Sequence, residues 1–282
     1  MSQSSYSSTS FGDVQTVQFP EAAEATYAIE KLMLRPFGIN RRDLEVDFSQ
    51  SFRPALVTDI LECCTTSASG KSPERNLLWS LTVSTRIEWL LRIVSVDGAF
   101  DAPLPVRCRN ESCGETVGVD LSLAELLAIQ SESGNFITVN CATQSLQLRK
   151  PTGLDQRAWA TEEFPTERAA IESMAQALVV RDQSHALSLD DESLYAIDRV
   201  MQDEDGLVNF SLEVICACCE SNTKFDLDLQ EFALERLQQA QQRLLTTVHQ
   251  LAKYYHWTEQ DIFAVPAWRR NHYLKLLAKE QT

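Results

Sequence analysis

Four of the eight cysteines in this chain fall in two pairs whose spacing suits metal chemistry. Cys216 and Cys219 are two residues apart in the manner of a zinc knuckle, while Cys108 and Cys113 enclose four residues, the wide end of the usual range. A knuckle holds two thiolates on one tight turn, and two facing knuckles complete a tetrahedron. Four thiolates are soft ligands and leave no position open to water, so the chemistry expected is structural zinc. Such a site polarises nothing. It ties distant segments together, and its binding free energy becomes folding free energy.

The residues behind the two pairs are related. With Cys219 set over Cys113, Phe225 falls on Val119, Asp226 on Asp120, Leu227 on Leu121, Leu229 on Leu123 and Glu231 on Glu125. The same unit is written twice, and each pair is expected to lead into a strand with alternating apolar residues (Val119, Leu121, Leu123; Phe225, Leu227, Leu229). That is the hairpin context of a zinc ribbon, split by a long insertion. Two other readings stand beside it. The turns could have lost their metal and kept cysteine as a small apolar residue, or a pair could be redox-active, although no thioredoxin-like βαβ pattern surrounds it. Cys218 competes with Cys219 for the ligand position, but only Cys219 keeps the downstream alignment. Cys63, Cys64, Cys141 and Cys218 read as ordinary cysteines.

The formal charge of −15 argues against a general binder of nucleic acid or anionic membrane, both of which need basic surface. It suits a soluble protein and one that docks on basic partners. No apolar run approaches the roughly 18 residues of a membrane span. The opening MSQSSYSSTSFGDVQ lacks the basic and apolar regions of a secretory signal and reads as a disordered tail over residues 1–16. The expected location is the reducing cytoplasm, where cysteines serve as ligands or core residues rather than disulfides.

The elements that must position the cysteines follow from periodicity. The expected body is one compact domain over 17–282: a first half 17–130, an insertion 131–206, and the second knuckle with C-terminal helices 207–282. Helices are expected around Ala22–Leu34 and through Leu56, Ile60 and Leu61, and a single buried helix over Leu77–Val96. Ser122 should cap a short helix, Leu123–Ile129, with Glu125 as reciprocal partner. FITVNC and LQLRK read as a hairpin, followed by helices over Thr166–Val180 and from Asp190 or Asp191 to Met201. Asp203-Glu204-Asp205 reads as a solvated turn. A strand carrying Val208, Phe210, Leu212 and Val214 enters the second knuckle. A long helix then runs from Leu229 to Tyr255, with Leu237, Gln241, Leu244, Val248, Leu251 and Tyr255 on one stripe, apolar except for Gln241. Thr258 with Asp261 caps a short helix, and Pro266 opens a last one, Ala267–Lys279. The fold class is α+β, mainly helical, with the split ribbon-like element and two short helices after the long one.

Nothing in this pattern points to catalysis. The four histidines, His185, His249, His256 and His272, sit in no catalytic arrangement, and packing or capping explains His249 and His256 best. There is no G-x-S-x-G, phosphate-binding loop or dinucleotide fingerprint. No catalytic residue, small-molecule substrate or further cofactor is expected.

The C-terminus carries a resemblance. "VHQLAKYYHWTEQDIFAVPAWRRNHYLKLL", Val248 to Leu277, closely resembles the last segment of the T4-type baseplate hub assembly chaperones of contractile-tailed phages and related injection systems. The matching residues are His249, Leu251, Ala252, Tyr255, Trp257, Thr258, Glu259, Ile262, Val265, Pro266, Arg269, Arg270, Tyr273 and Leu274. "LRKPTGLD" at Leu148–Asp155, the FDL strand and the Leu77–Leu123 unit extend the likeness over roughly Leu77–Leu277. Family knuckles often read C-P-x-C-G. Here the second is Cys-Ala-Cys-Cys-Glu, and the first has two extra residues but keeps Gly114.

The resemblance implies a non-enzymatic, cytoplasmic assembly chaperone for the baseplate hub of a phage-like contractile tail, with hub or spike proteins as partners. An integral baseplate subunit is the alternative, and a zinc-ribbon adaptor a further one. Trp257, Phe263, Trp268, Arg269, Arg270 and Tyr273 are the expected partner-binding residues, since aromatics beside arginine are typical interface anchors. Core closure over the long helix is the other use for the same side chains.

Overall fold

The computed structural model describes residues 15–17, 32–67, 70–95, 103–131, 136–141, 145–180 and 189–280. The fold is α+β, with helices joined by small antiparallel sheets. β1 (Gln15–Val17), β2 (Leu32–Leu34) and β3 (Thr65–Ser67) form one sheet in that order, with Leu32 opposite Ser67 and Leu34 opposite Thr65. The tail expected over 1–16 lies outside the described residues except for Gln15 and Thr16, which are in β1. The helix expected at Ala22–Leu34 likewise falls largely outside them, and its described end, Leu32–Leu34, is a strand. Alternation explains this: Leu32 and Leu34 are buried with Met33 between them on the other face.

A 3-10 turn (Arg41–Glu45) precedes α1 (Arg53–Cys64), which is followed by α2 (Arg75–Ser80) and α3 (Val83–Ser95). The single helix expected over Leu77–Val96 is therefore two. Its break is a tertiary effect. The Val83 N–H donates to the Pro151 carbonyl at 2.9 Å, and the Gly153 N–H donates to the Leu81 carbonyl at 3.1 Å. Those bonds engage the Leu81 carbonyl and the Val83 N–H in place of helical partners. α3 runs through the core, with Trp89, Leu90, Leu91 and Ile93 almost fully buried.

The first knuckle lies between β4 (Leu104–Arg107) and β5 (Thr116–Val119), and α4 (Leu123–Ser131) follows. The insertion then forms the expected hairpin, β6 (Phe136–Asn140) with β7 (Ser145–Arg149), and adds α5 (Gly153–Trp159), α6 (Glu167–Leu178) and α7 (Asp191–Glu204). Ile137, Val139, Leu146 and Leu148 point to one face of the hairpin and cluster with Leu178, Leu194 and Ile197. The insertion thus has its own apolar cluster. Its two ends meet, because a Cβ built at Gly206 would lie 2.6 Å from the Ile129 side chain.

The second knuckle lies between β8 (Ser211–Ile215) and β9 (Asn222–Asp226). α8 (Leu229–Tyr255), α9 (Glu259–Ala264) and α10 (Ala267–Glu280) complete the chain. α4 and α8 both pack on α3, so the two copies of the hairpin–helix unit share a central helix. Gln241, the polar residue in the stripe of α8, is buried for a reason. Its side-chain amide donates to the Asp43 and Val46 carbonyls at 2.7 and 2.8 Å. No described helix is long and apolar enough to cross a membrane.

Candidate metal centre

Each knuckle is built by its hairpin. Arg107 pairs with Thr116 and Ile215 with Asn222, the last rungs before each turn. The two extra residues of the first pair are therefore absorbed inside its turn, and the strands stay in step. The Cys108 N–H donates to the Glu115 carbonyl at 2.8 Å, and the Cys216 N–H donates to the Ser221 carbonyl at 3.0 Å, the same bond in both copies. Asn110 shapes the longer turn by accepting from the Ser112 N–H at 3.0 Å. Gly114 and Glu220 then reverse the chain with left-handed backbone, φ 62° and 56°.

The repeat continues past the turns, with one correction. The strands end at Val119 and Asp226, so Leu123 and Leu229 open helices rather than extending strands. Equivalent side chains cap those helices. Ser122 accepts from the Glu125 N–H at 3.4 Å, and Asp228 from the Glu231 N–H at 2.9 Å.

The four sequence-predicted cysteines meet. The Sγ atoms of Cys108, Cys113, Cys216 and Cys219 all lie within 4.8 Å of one another, close enough to hold one metal ion. Contacts cross between knuckles: Cys108 to Cys219 and Cys113 to Cys216, each 3.7 Å between sulfurs. Cys108 and Cys216 are buried, Cys113 and Cys219 half-buried, and Cys218 is exposed outside the set.

Thiols this close cannot all ionise freely, because each thiolate opposes the next. The Ser221 hydroxyl, 3.0 Å from the Cys219 sulfur, and the Ser221 N–H lower the Cys219 thiol to about 6. The Glu115 N–H acts the same way on Cys113, but desolvation and the Cys216, Cys219 and Cys218 thiols outweigh it and push Cys113 up to about 12. A bound cation would hold all four as thiolates.

Sequence reasoning missed two parts of this site and one buried pair outside it. Ser221 reaches both Cys219 and, at 3.5 Å, Cys108. The Arg109 guanidinium lies over the Phe225 ring at 5.0 Å and joins the knuckles without any metal. Asp205, expected in solvent, is buried with Lys150 at 3.3 Å, closing the base of the insertion. An isolated acid in a run of acids gave no sign of that partner.

The expected partner-binding residues divide. Trp268 is 52% exposed and Arg269 is exposed. Trp257 and Tyr273 instead form an aromatic triangle with Tyr255, with ring centroids 5.0 to 5.4 Å apart. Arg270 is turned inward: it is 4% exposed, donates to the Ile39 carbonyl, and covers the half-buried Phe263 ring at 4.9 Å. Its position as a surface anchor is thereby corrected. The turn of α10 that exposes Trp268 and Arg269 carries Arg270 towards the core. Among the histidines, His256 takes the left-handed capping position of α8, His249 and His272 are exposed, and His185 lies outside the described residues.

Comparison with family models, with curated proteins and with solved structures gives no match to this chain.

Proposed function

We propose that this chain is a zinc-stapled, non-enzymatic assembly chaperone for the baseplate hub of a phage-like contractile tail or injection machine. The metal half of the reading is carried by the convergence of four thiols from two distant knuckles. A zinc–sulfur bond of about 2.3 Å sets tetrahedral sulfurs about 3.8 Å apart; the Cys108–Cys219 and Cys113–Cys216 sulfurs are each 3.7 Å apart, and all four lie within 4.8 Å of one another. Four thiolates fill such an ion's coordination, which suits a brace rather than a catalyst. In this reading the ion closes the two hairpin–helix units around α3, and α9 and α10 pack back on α8.

The assembly half is carried by the resemblance of Val248–Leu277 to the tail-assembly chaperones. That segment forms one connected unit, capped at Thr258 and joined by the Tyr255, Trp257 and Tyr273 rings. The test is co-expression with the hub and spike subunits of the same genome, followed by purification of finished particles. A chaperone should bind a hub subunit before assembly and be missing from the particle. A stoichiometric band in the particle would make it a structural subunit, and no hub binding at all would remove the assembly reading.

A further inference from the structure

The outward face of α10 differs in chemistry from the rest of the chain. Trp268, Arg269, His272, Lys275, Leu276 and Lys279 are all exposed. Spacings of three, four and seven residues put them on adjoining stripes of one helix face. The opposite face holds buried Arg270 and Leu277, with Tyr273 against Tyr255 of α8. The face is thus presented by a helix that is already anchored.

Its charge runs against the background. From Ala267 to Lys279 there are four cations and no carboxylate, so the remainder of the chain carries −15 − 4 = −19. Arg269, Lys275 and Lys279 make no ion pair with a described side chain. Between them stand a tryptophan 52% exposed and a leucine 40% exposed. Cations flanking an apolar strip complement an amphipathic helix with carboxylates along its edges.

We propose that α10 is the docking surface for an acidic amphipathic helix of a partner protein. The partner's carboxylates meet Arg269, Lys275 and Lys279, and its apolar edge lies on Trp268 and Leu276. This names the partner chemistry for the assembly role proposed above and rests on that reading. A helix is the favoured occupant because, at about 10 Å across, it touches this face alone. A flat anionic bilayer would also come within the roughly 8 Å screening length of the acidic remainder.

The full metal-loaded chain is titrated with a fluorescein-labelled Glu/Leu amphipathic peptide, its Lys/Leu counterpart, and vesicles of phosphatidylserine and phosphatidylcholine. The acidic peptide should bind and shift tryptophan emission. Affinity should fall about tenfold or more in R269E/K275E/K279E and as salt rises, with W268A weakening it while circular dichroism is unchanged. Equal binding of both peptides, no peptide binding, or preference for vesicles would overturn the proposal. So would self-association that the triple charge reversal abolishes. Hub co-purification separates the two readings. Peptide binding without hub capture keeps this surface and sinks the assembly role, whereas hub capture retained by a triple variant that has lost the peptide sinks the surface alone.

Discussion

Gly114 and Glu220 occupy the same corner of the two knuckles, and both have left-handed backbone, φ 62° and 56°. Glycine takes that conformation without strain, while a residue with a Cβ loses about 1–2 kcal/mol. The first corner is relaxed and the second is strained. A Cβ at Gly114 would meet only ordinary contacts, 3.4 Å from the Arg107 guanidinium, so backbone conformation sets the cost there. Glu220→Gly should therefore stabilise the protein by about 1 kcal/mol, and Gly114→Ala should destabilise it by about as much. Urea unfolding of the two variants, compared with the parent, reads both signs.

Serine in place of Cys108, Cys113, Cys216 or Cys219 should abolish or greatly weaken binding of one metal equivalent per chain, whereas Cys218→Ser should leave it intact. Metal analysis after dialysis decides this. A cluster that loses metal on Cys218→Ser, or keeps it after any of the other four replacements, would redraw the ligand set.

The metal-free protein should depend on pH in a way the loaded protein does not. Folding lowers the Cys219 thiol to about 6, so its contribution is present above the ordinary thiol value and is lost as pH falls through about 6. Folding pushes Cys113 up to about 12, so the folded state resists ionisation there and loses stability as pH rises above the ordinary thiol value. Melting temperature of the chelated protein should therefore peak near the ordinary thiol range, about 8.5. Added zinc should remove the alkaline fall and leave an acid fall accompanied by metal release.

Arg86 and Gly153 form the joint between the body and α5. Arg86 is 1% exposed and donates to the Leu78 and Pro54 carbonyls and to Thr58, at 2.6 to 2.9 Å, with no carboxylate among those partners. A Cβ on Gly153 would sit 2.4 Å from the guanidinium and 2.9 Å from the Trp79 carbonyl. Gly153→Ala should destabilise by about 1–3 kcal/mol through overpacking. Arg86→Met should be about as damaging, because the buried Leu78 carbonyl loses its donor at about 1–3 kcal/mol, while the Pro54 carbonyl keeps the Thr58 hydroxyl at 2.9 Å. Chemical denaturation measures both.

Lys150 and Asp205 are each almost wholly buried, so removing one takes the opposite charge from beside the other, although Lys150 also donates to the Glu204 carbonyl at 3.0 Å. Lys150→Met or Asp205→Leu alone should cost about 3–5 kcal/mol, and the double replacement far less than the sum. A double-mutant cycle checks the coupling. Additive losses would mean that the pair is not a unit.

How much of this was legible in the sequence depended on where the determinants lie. The α8 boundaries, Leu229 and Tyr255, came through because a long amphipathic stripe and local caps agree. The cysteine set was legible because the repeat around it fixed the register at Cys219. Leu81 and Thr82 were misread because their helix is broken by partners at Pro151 and Gly153. Asp205 was misread because its lysine is far away in sequence, and Arg270 because side-chain type does not say which face of a helix meets the core. Gln241 looked like a flaw in an apolar stripe until the Asp43 and Val46 carbonyls supplied its reason.

The knuckles belong to segments that leave the ribosome at different times. Cys219 follows Cys108 by 111 residues. At translation rates of roughly 5–20 residues per second, that gap lasts about 6–22 seconds. During it the nascent chain displays an open dithiol, the Cys108–Cys113 half-site, before its complement exists. The insertion, with a cluster of its own, can collapse in that interval. Capture of an ion by the complete set would then be a late event in biogenesis, and oxidants would find the half-site before the lock closes.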